Sequence, residues 1–208
     1  LPPFSREKAI AIIEDEFGTN IDNIFLQFSE PVAAASIAQV HFAKIKSSST
    51  EIDVAVKVLR PEIEKIINQE MERLEWLTTF MENFTEFQRL RPNSIIKKAK
   101  EVIKFELDLR YEAAAASELS ENTNMDESFY VPKVYWDKVT QKILTMEKII
   151  GVPADKIDEL NEKKVNKKQA AENLIINFLR QSIRDGYFHA DLHQGNLFLN
   201  PKGKLLAV

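Results

Sequence analysis

Apolar residues alternate from Ile52 through Val54 and Val56 to Val58, the period-two pattern of a strand with one buried face, and Pro61 closes it. Val40, Phe42 and Ile45 mark a strand-like stretch just upstream, and the turn-like Ser47-Ser48-Ser49-Thr50 joins the two as an antiparallel pair. On either side the period lengthens. Ile10, Ile13 and Phe17 recur at helical spacing behind a capping Ser5, with Gly18 as the stop. Two long helical stretches are predicted from about Glu62 to Gln88 and from about Pro92 to Leu119, divided at Arg91-Pro92. The polar Glu121-Asn122-Thr123-Asn124 leads to two short strands near Val131–Trp136 and Ile143–Glu147. Lys163, Lys164, Lys167 and Lys168 read as a solvated face near a helix start. Leu174, Ile175, Phe178, Leu179 and Ile183 then form an apolar helical stripe ending at Gly186. Leu197-Phe198-Leu199 is a strand, Asn200-Pro201-Lys202-Gly203 a turn, and Leu205–Val208 the returning strand. The order predicts an α+β fold with a boundary near Lys148–Asp155.

Composition narrows the function classes. The 208 residues suit one large domain or two small lobes, and 44% hydrophobic with 29% charged residues is ordinary for a globular protein. Twenty-eight basic against 32 acidic residues leave a net charge of −4, and no basic stripe carries interleaved aromatics, which argues against nucleic acid. The absence of cysteine removes disulfides, thiolate metal sites and cysteine nucleophiles together. The five scattered glycines form neither a dinucleotide fingerprint nor a P-loop, so any nucleotide is held without a glycine-rich loop. No apolar run approaches the roughly 18 residues of a membrane span. Neither a signal peptide nor an initiator methionine opens the chain, and Lys204–Val208 reads as a strand in mid-course, so a chain cut from something longer is expected.

The densest chemistry lies in His189-Ala190-Asp191-Leu192-His193-Gln194-Gly195-Asn196, which reproduces the protein-kinase catalytic-loop spacing H-x-D-L-x-x-x-N. In that chemistry an aspartate meets the attacking hydroxyl, while an asparagine further along the loop reaches a phosphate-bridging magnesium. His189 would brace the loop backbone. Two plainer readings stand beside it: His189, Asp191 and His193 as metal ligands, with no third or fourth partner evident nearby, or a purely structural polar turn. In Val54-Ala55-Val56-Lys57-Val58, Ala55 and Lys57 share the face opposite the valines. A lysine there can hold α/β-phosphates while the alanine leaves room for a base; a solvated edge lysine is the simpler alternative. Such a lysine needs an acidic partner from a helix. Glu106, Asp108 and Glu112 supply candidates, with Asp108 and Glu112 on one face of a continuous helix. Finally, Ala33-Ala34-Ala35-Ser36 falls where a kinase keeps its glycine-rich lid, although alanines alone suggest a tight helical turn or close packing.

Taken together, the alanine-rich loop with Gln39-Val40, the Lys57 strand, Glu106-x-Asp108 with Glu112, and Asp191 with Asn196 resemble the UbiB-like family of atypical kinases, from about Pro3 to Val208. The resemblance implies a two-lobed protein-kinase-like fold truncated within the C-terminal lobe. Residues 1–148 would be the N-lobe, with the alanine-rich loop, lysine strand and two long helices; residues 149–208 would begin the C-lobe and carry the catalytic loop. It implies ATP and Mg2+ as cofactors, Asp191, Lys57 and Glu112 as catalytic residues, and Asn196 as metal ligand. Nucleotide would lie against Ala33, Ala34, Ala35, Ser36, Ala55, Lys57 and Glu147, with Met146-Glu147 as the hinge beside adenine. Glu106 and Asp108 match the family's own acidic motif, which faces added N-terminal helices. The family supports ubiquinone biosynthesis at a membrane, so a quinone or lipid precursor and biosynthetic proteins are implied partners, on the cytoplasmic side of a bacterial inner membrane. Two departures stand out: the lysine-glycine-glutamine signature is absent, and the D-F-G metal motif is expected one residue after Val208. A 208-residue piece without them is expected to be inactive by itself. The alternatives are an aminoglycoside- or choline-type phosphotransferase, which shares a similar loop, and a non-catalytic nucleotide-binding fragment.

Overall fold

The structure is a computed structural model that describes residues 2–47, 50–84 and 88–207. Its first helix, α1 (Arg6–Phe17), begins where the Ser5 hydroxyl accepts from the Lys8 N–H. It ends at Gly18, whose φ of 64° lets its N–H return to the Glu14 carbonyl. Three long strands follow: β1 (Gln27–Ala34), β2 (Ala38–Ser47) and β3 (Thr50–Leu59). The sequence pattern did not reveal β1, because Pro31 sits inside it. A residue with no N–H is tolerated there since β1 is the edge of its sheet, ordered β1-β2-β3-β5 with β5 (Ile143–Glu147). On β3 the alternation holds: Val54, Val56 and Val58 are buried, and Ala55 and Lys57 are half-buried on the other face. Ser48 and Ser49 of the expected turn lie outside the described residues.

Two helical expectations need correction. α2 (Ile63–Met81) is shorter than the stretch read to Gln88, and residues 85–87 lie outside the described residues. The second stretch is not continuous but splits into α3 (Pro92–Glu106) and α4 (Leu109–Asn122). Leu107 and Leu109 are both buried, and the Leu109 N–H leaves the helical ladder to donate to the Gln141 carbonyl at 2.9 Å. Two core leucines spaced i,i+2 cannot share one face of a continuous helix, so the chain breaks between them.

The chain forms two compact units. The first comprises Leu1–Ala43, Val56–Glu112 and Lys138–Leu144, and the second Lys44–Ala55, Ala113–Asp137 and Thr145–Val208. In the second unit β4 (Phe129–Tyr130), β6 (Val152–Pro153), β7 (Leu197–Leu199) and β8 (Leu205–Ala207) form a sheet ordered β4-β8-β7-β6. The β7–β8 hairpin is antiparallel with Phe198 opposite Leu206, and β8 runs parallel to β4 with Phe129 opposite Leu205. The strand expected at Val131–Trp136 reduces to one bridge, Val134 to Met146, and Trp136 opens a 3-10 turn. Pro132 can donate nothing to a ladder. Phe129, Val152, Leu160, Leu197, Leu199 and Leu205 centre the core of this unit.

Below this sheet run α5 (Ile157–Glu162), α6 (Lys167–Leu179) and a π-helical turn, Arg180–Asp185, stopped by Gly186 at φ 64°. Lys163, Lys164, Lys167 and Lys168 are exposed, as a solvated face requires. Of the apolar stripe, however, Leu174 packs against the core and the rest is turned away from it. Ile175, Phe178, Leu179 and Ile183 are exposed, while Ala170, Asn173, Asn177 and Gln181 are buried. The polar face wins because its amides have partners: Asn173 donates to the Gly203 carbonyl at 2.8 Å, and Asn177 to the Ser128 hydroxyl at 2.9 Å.

Candidate functional site

In the first unit β3 carries Lys57 past the start of α4. Its ammonium donates to both carboxylate oxygens of Glu112, at 2.8 Å to Oε1 and 2.6 Å to Oε2. The two side chains remain 28% and 41% exposed, so the pair contributes little to stability and leaves the amine accessible. Asp108 takes no part. Lying at the helix break, it accepts from the Arg110 backbone N–H at 3.1 Å and from the Arg110 guanidinium at 2.8 and 2.6 Å. The Arg110 guanidinium holds the Asp108 carboxyl below the ordinary carboxylate range. The common face expected for Asp108 and Glu112 is therefore lost, since the two are not four residues apart on one helix. Glu106 is exposed at the end of α3.

The alanine-rich segment is a strand-turn-strand, not a helical turn. Ala33 and Ala34 end β1, and the turn closes with the Ala35 N–H donating to the Ala38 carbonyl at 2.8 Å. Ala33, Ala34, Ala35 and Ser36 are all exposed. None of them has positive φ, so alanine meets the backbone demand without glycine.

In the second unit the catalytic-loop motif is braced by its own polar groups. The Asn196 amide donates to the Asp191 carbonyl at 3.0 Å and to Asp191 Oδ2 at 3.1 Å. His189 Nδ1 accepts the Asp191 N–H at 3.2 Å, and His193 Nδ1 accepts the Gly195 N–H at 2.9 Å. Both rings thus spend a nitrogen on the backbone. Among the described residues no group of three His, Cys, Asp or Glu is arranged to hold a metal ion, which weakens the reading of His189, Asp191 and His193 as ligands. A Cβ at Gly195 would come within 2.7 Å of the His193 ring, so glycine lets that ring close over the turn.

Glu147, at the end of β5, is committed to its neighbours. Its carboxylate accepts from the Tyr130 hydroxyl, and its own N–H donates to the Lys133 carbonyl at 2.8 Å. Burial, helped by Glu147, pushes the Tyr130 hydroxyl up to about 12.

Two supporting residues escaped the sequence reading. Gln181, fully buried in the π-helical turn, accepts the His189 N–H with Oε1 at 3.3 Å. Asp126, also buried, accepts from Arg180 at 3.3 Å and from two nitrogens of Arg184 at 3.0 and 2.8 Å. The signal for Gln181 was present: Asn173, Asn177 and Gln181 recur every four residues, which is one helix face.

Known proteins place these features in context. The ABC1 atypical kinase-like domain matches residues 1–208. A probable protein kinase UbiB of Pseudomonas aeruginosa is 39% identical over 204 residues, 97% of this chain and 38% of its own length. Its counterpart in Pseudomonas putida is 40% identical over 202 residues, covering 96% of this chain and 37% of that protein. In Azotobacter vinelandii the corresponding protein is 38% identical over 204 residues, 97% of this chain and 37% of its length. The chain therefore spans less than two-fifths of these curated relatives. A solved structure from Mycobacterium tuberculosis, the complex of Rv3197 with erythromycin, superposes with a TM-score of 0.79 at 27% identity, covering 99% of this chain and 51% of that one. The mixed α+β arrangement of antiparallel sheet and helices is thus kinase-like, and with a domain match along its whole length the chain belongs to the ABC1 atypical kinase-like, or UbiB-like, family.

Proposed function

We propose that this chain carries the nucleotide-handling core of an ATP-dependent atypical kinase or ATPase that supports ubiquinone biosynthesis. The observation that carries the reading is the two-oxygen pairing of Lys57 with Glu112. An ammonium fixed by a helix carboxylate on a half-exposed strand face is poised to exchange water for phosphate oxygens, while Ala55 on the same face leaves space for a planar base. Ala33–Ser36 cover the phosphates, and Met146-Glu147 border the base. Residues 1–148 and 149–208 serve as the two lobes.

Asp191 orients the nucleophile and accepts its proton as its oxygen bonds to the γ-phosphorus and the bond to the β-phosphate oxygen breaks. Asn196 supplies an amide oxygen for Mg2+. With its NH2 group turned to Asp191, the Asn196 amide leaves its oxygen for that ion, which takes one or two protein ligands and fills its remaining positions with phosphate and water. A metal held there would supply neutralisation of the charge on the phosphates. The UbiB relatives motivate a quinone or lipid precursor, or proteins of that pathway, as partners at the inner face of a bacterial membrane. Among the described residues no helix is long and apolar enough to cross one. A second reading, transfer to a small molecule, draws on the erythromycin complex of the similar Mycobacterium tuberculosis protein.

Substituting Lys57→Met in the full-length protein tests the first reading. Nucleotide affinity by calorimetry should fall at least tenfold and ATP turnover vanish, while the melting temperature moves by no more than about 4 °C, because a half-exposed pair contributes at most about 1 kcal/mol. Unchanged ATP affinity and turnover would overturn the assignment. Phosphorylation of erythromycin by the wild type, with none of the ATPase, would select the second reading.

A further inference from the structure

One residue grips the alanine-rich turn from the end of β3. The Arg60 backbone N–H donates to the Ile37 carbonyl at 2.9 Å. Its guanidinium reaches the Ala35 carbonyl twice, from Nε at 3.2 Å and from Nη2 at 2.9 Å. A third guanidinium nitrogen, Nη1, donates to the Pro2 carbonyl at 2.8 Å, and the same group stands 5.9 Å from the Phe4 ring centroid. Arg60 therefore ties both carbonyls of the turn to an extended arm, Pro2–Phe4.

The arm is itself anchored on the hairpin. Gln39, fully buried on β2, accepts the Phe4 N–H at 3.0 Å and donates to the Phe4 carbonyl at 3.2 Å. Its amide also meets His41 Nε2 at 2.8 Å, and His41 Nδ1 meets the Ser29 carbonyl at 2.9 Å. Arm, turn and the first two strands are one hydrogen-bonded piece, and the guanidinium closes it. Lysine could not replace it, since a single ammonium on a flexible stem lacks the planar fork that satisfies two carbonyls at once. Ala35 and Ser36 are small and exposed, so side-chain packing does little to hold the turn.

We propose that Arg60 is a positioning residue that fixes the alanine-rich turn against the Pro2–Phe4 arm, and that this clasp sets how tightly the protein holds the phosphates of a nucleotide. The second clause rests on the reading of that turn as the phosphate cover. Loosening the turn should then weaken ligands that carry phosphates and spare a ligand that carries none.

The test uses the full-length protein with Arg60→Gln and Arg60→Lys, read by site-resolved amide exchange without ligand and by titration with ADP and with adenosine. Exchange at residues 35–38 should speed up roughly threefold to tenfold in Arg60→Gln, as the loss of one or two net hydrogen bonds predicts, and less in Arg60→Lys. Exchange in β7 and β8 should not change. ADP should bind several-fold more weakly while adenosine binds as in the wild type. Unchanged exchange at residues 35–38 overturns the proposal, as does an equal loss of ADP and adenosine accompanied by faster exchange across the whole protein. Should Arg60→Gln not fold, Arg60→Lys decides by the same readouts. A wild type that binds no ADP, with the exchange effect intact, overturns the nucleotide reading and keeps Arg60 as the holder of the turn.

Discussion

Strand β3 and the helix leading to His189 place their polar side chains by opposite means. On β3 the valines at 54, 56 and 58 fill an apolar interior, and Lys57 is displayed simply because it lies on the other face. Before His189 the buried face is polar, Asn173, Asn177 and Gln181, and the apolar Ile175, Phe178 and Ile183 are turned outward. Alternation over a core fixes which side a residue is on. Amide and carboxylate bonds fix a loop more closely, because each bond has a direction and an unpaired buried group is penalised. The second arrangement is the more fragile. Asn177 Oδ1 and Gln181 Nε2 already have no partner among the described residues.

The severest test of that contrast is Asp126→Asn. The buried carboxylate is shared by Arg180 and Arg184, and Asn would turn an NH2 group toward guanidinium donors. Both arginines are nearly half exposed, so solvent softens the loss to about 2 kcal/mol, less than a fully buried pair would show. Urea unfolding measures it, and a change below about 0.5 kcal/mol would remove the claim that the polar network holds this region.

A smaller effect probes whether the first unit is free of such dependence. His41 is buried between Gln39 and the Ser29 carbonyl, and burial lowers its pKa below the ordinary value of 6.5. The unfolded chain therefore takes up the proton first. Stability from neutral His41 is complete above about pH 6.5 and falls as the pH drops toward the lower folded value, with Arg6 and Glu30 as the nearby charges of opposite influence. The melting temperature should decline between pH 7.5 and 5.5, and Asn in place of His41 should flatten that slope. Equal slopes would show that His41 protonates without disturbing the hairpin.

The smallest effect is expected at Ile183→Ser. A buried isoleucine would lose several kcal/mol on such truncation, but this one is 80% exposed, and the change should stay within about 0.5 kcal/mol. A larger loss would restore the stripe to the core and end the contrast.

What could be read in the chain follows the same division. The β3 alternation, the Ser5 cap with its Gly18 stop, and the β7–β8 hairpin are local patterns, and each formed as read, with Val208 of the returning strand outside the described residues. The residues alone offered Lys57 three carboxylates and the resemblance favoured Glu112; the break at Leu107 is what separates them, since it gives Asp108 to Arg110 and leaves Glu112 on α4. That break depends on the Gln141 carbonyl, more than thirty residues away, and no local period encodes it. The apolar stripe is helical and ends at Gly186 as read, but the side it faces was decided elsewhere. Hydrophobicity identified an apolar face, but the acceptors at Gly203 and Ser128 decided that the amide face would turn inward.

The π-helical turn at Arg180–Asp185 has a bearing on sequence length rather than on sequence identity. Its carbonyl at Gln181 is answered five residues later by Gly186, so the helix carries one residue more than an α-ladder would use. Deleting a single residue there would let the ladder close as α without leaving a gap. Because the wider turn advances less per residue than an α-helix does, the residues on either side of the cut would keep nearly the faces they have now. The loss would fall inside the turn, on Gln181 and Arg184, whose bonds to His189 and Asp126 depend on where that turn carries them. The surplus residue thus matters little to the course of the helix and much to the aim of the two side chains it holds.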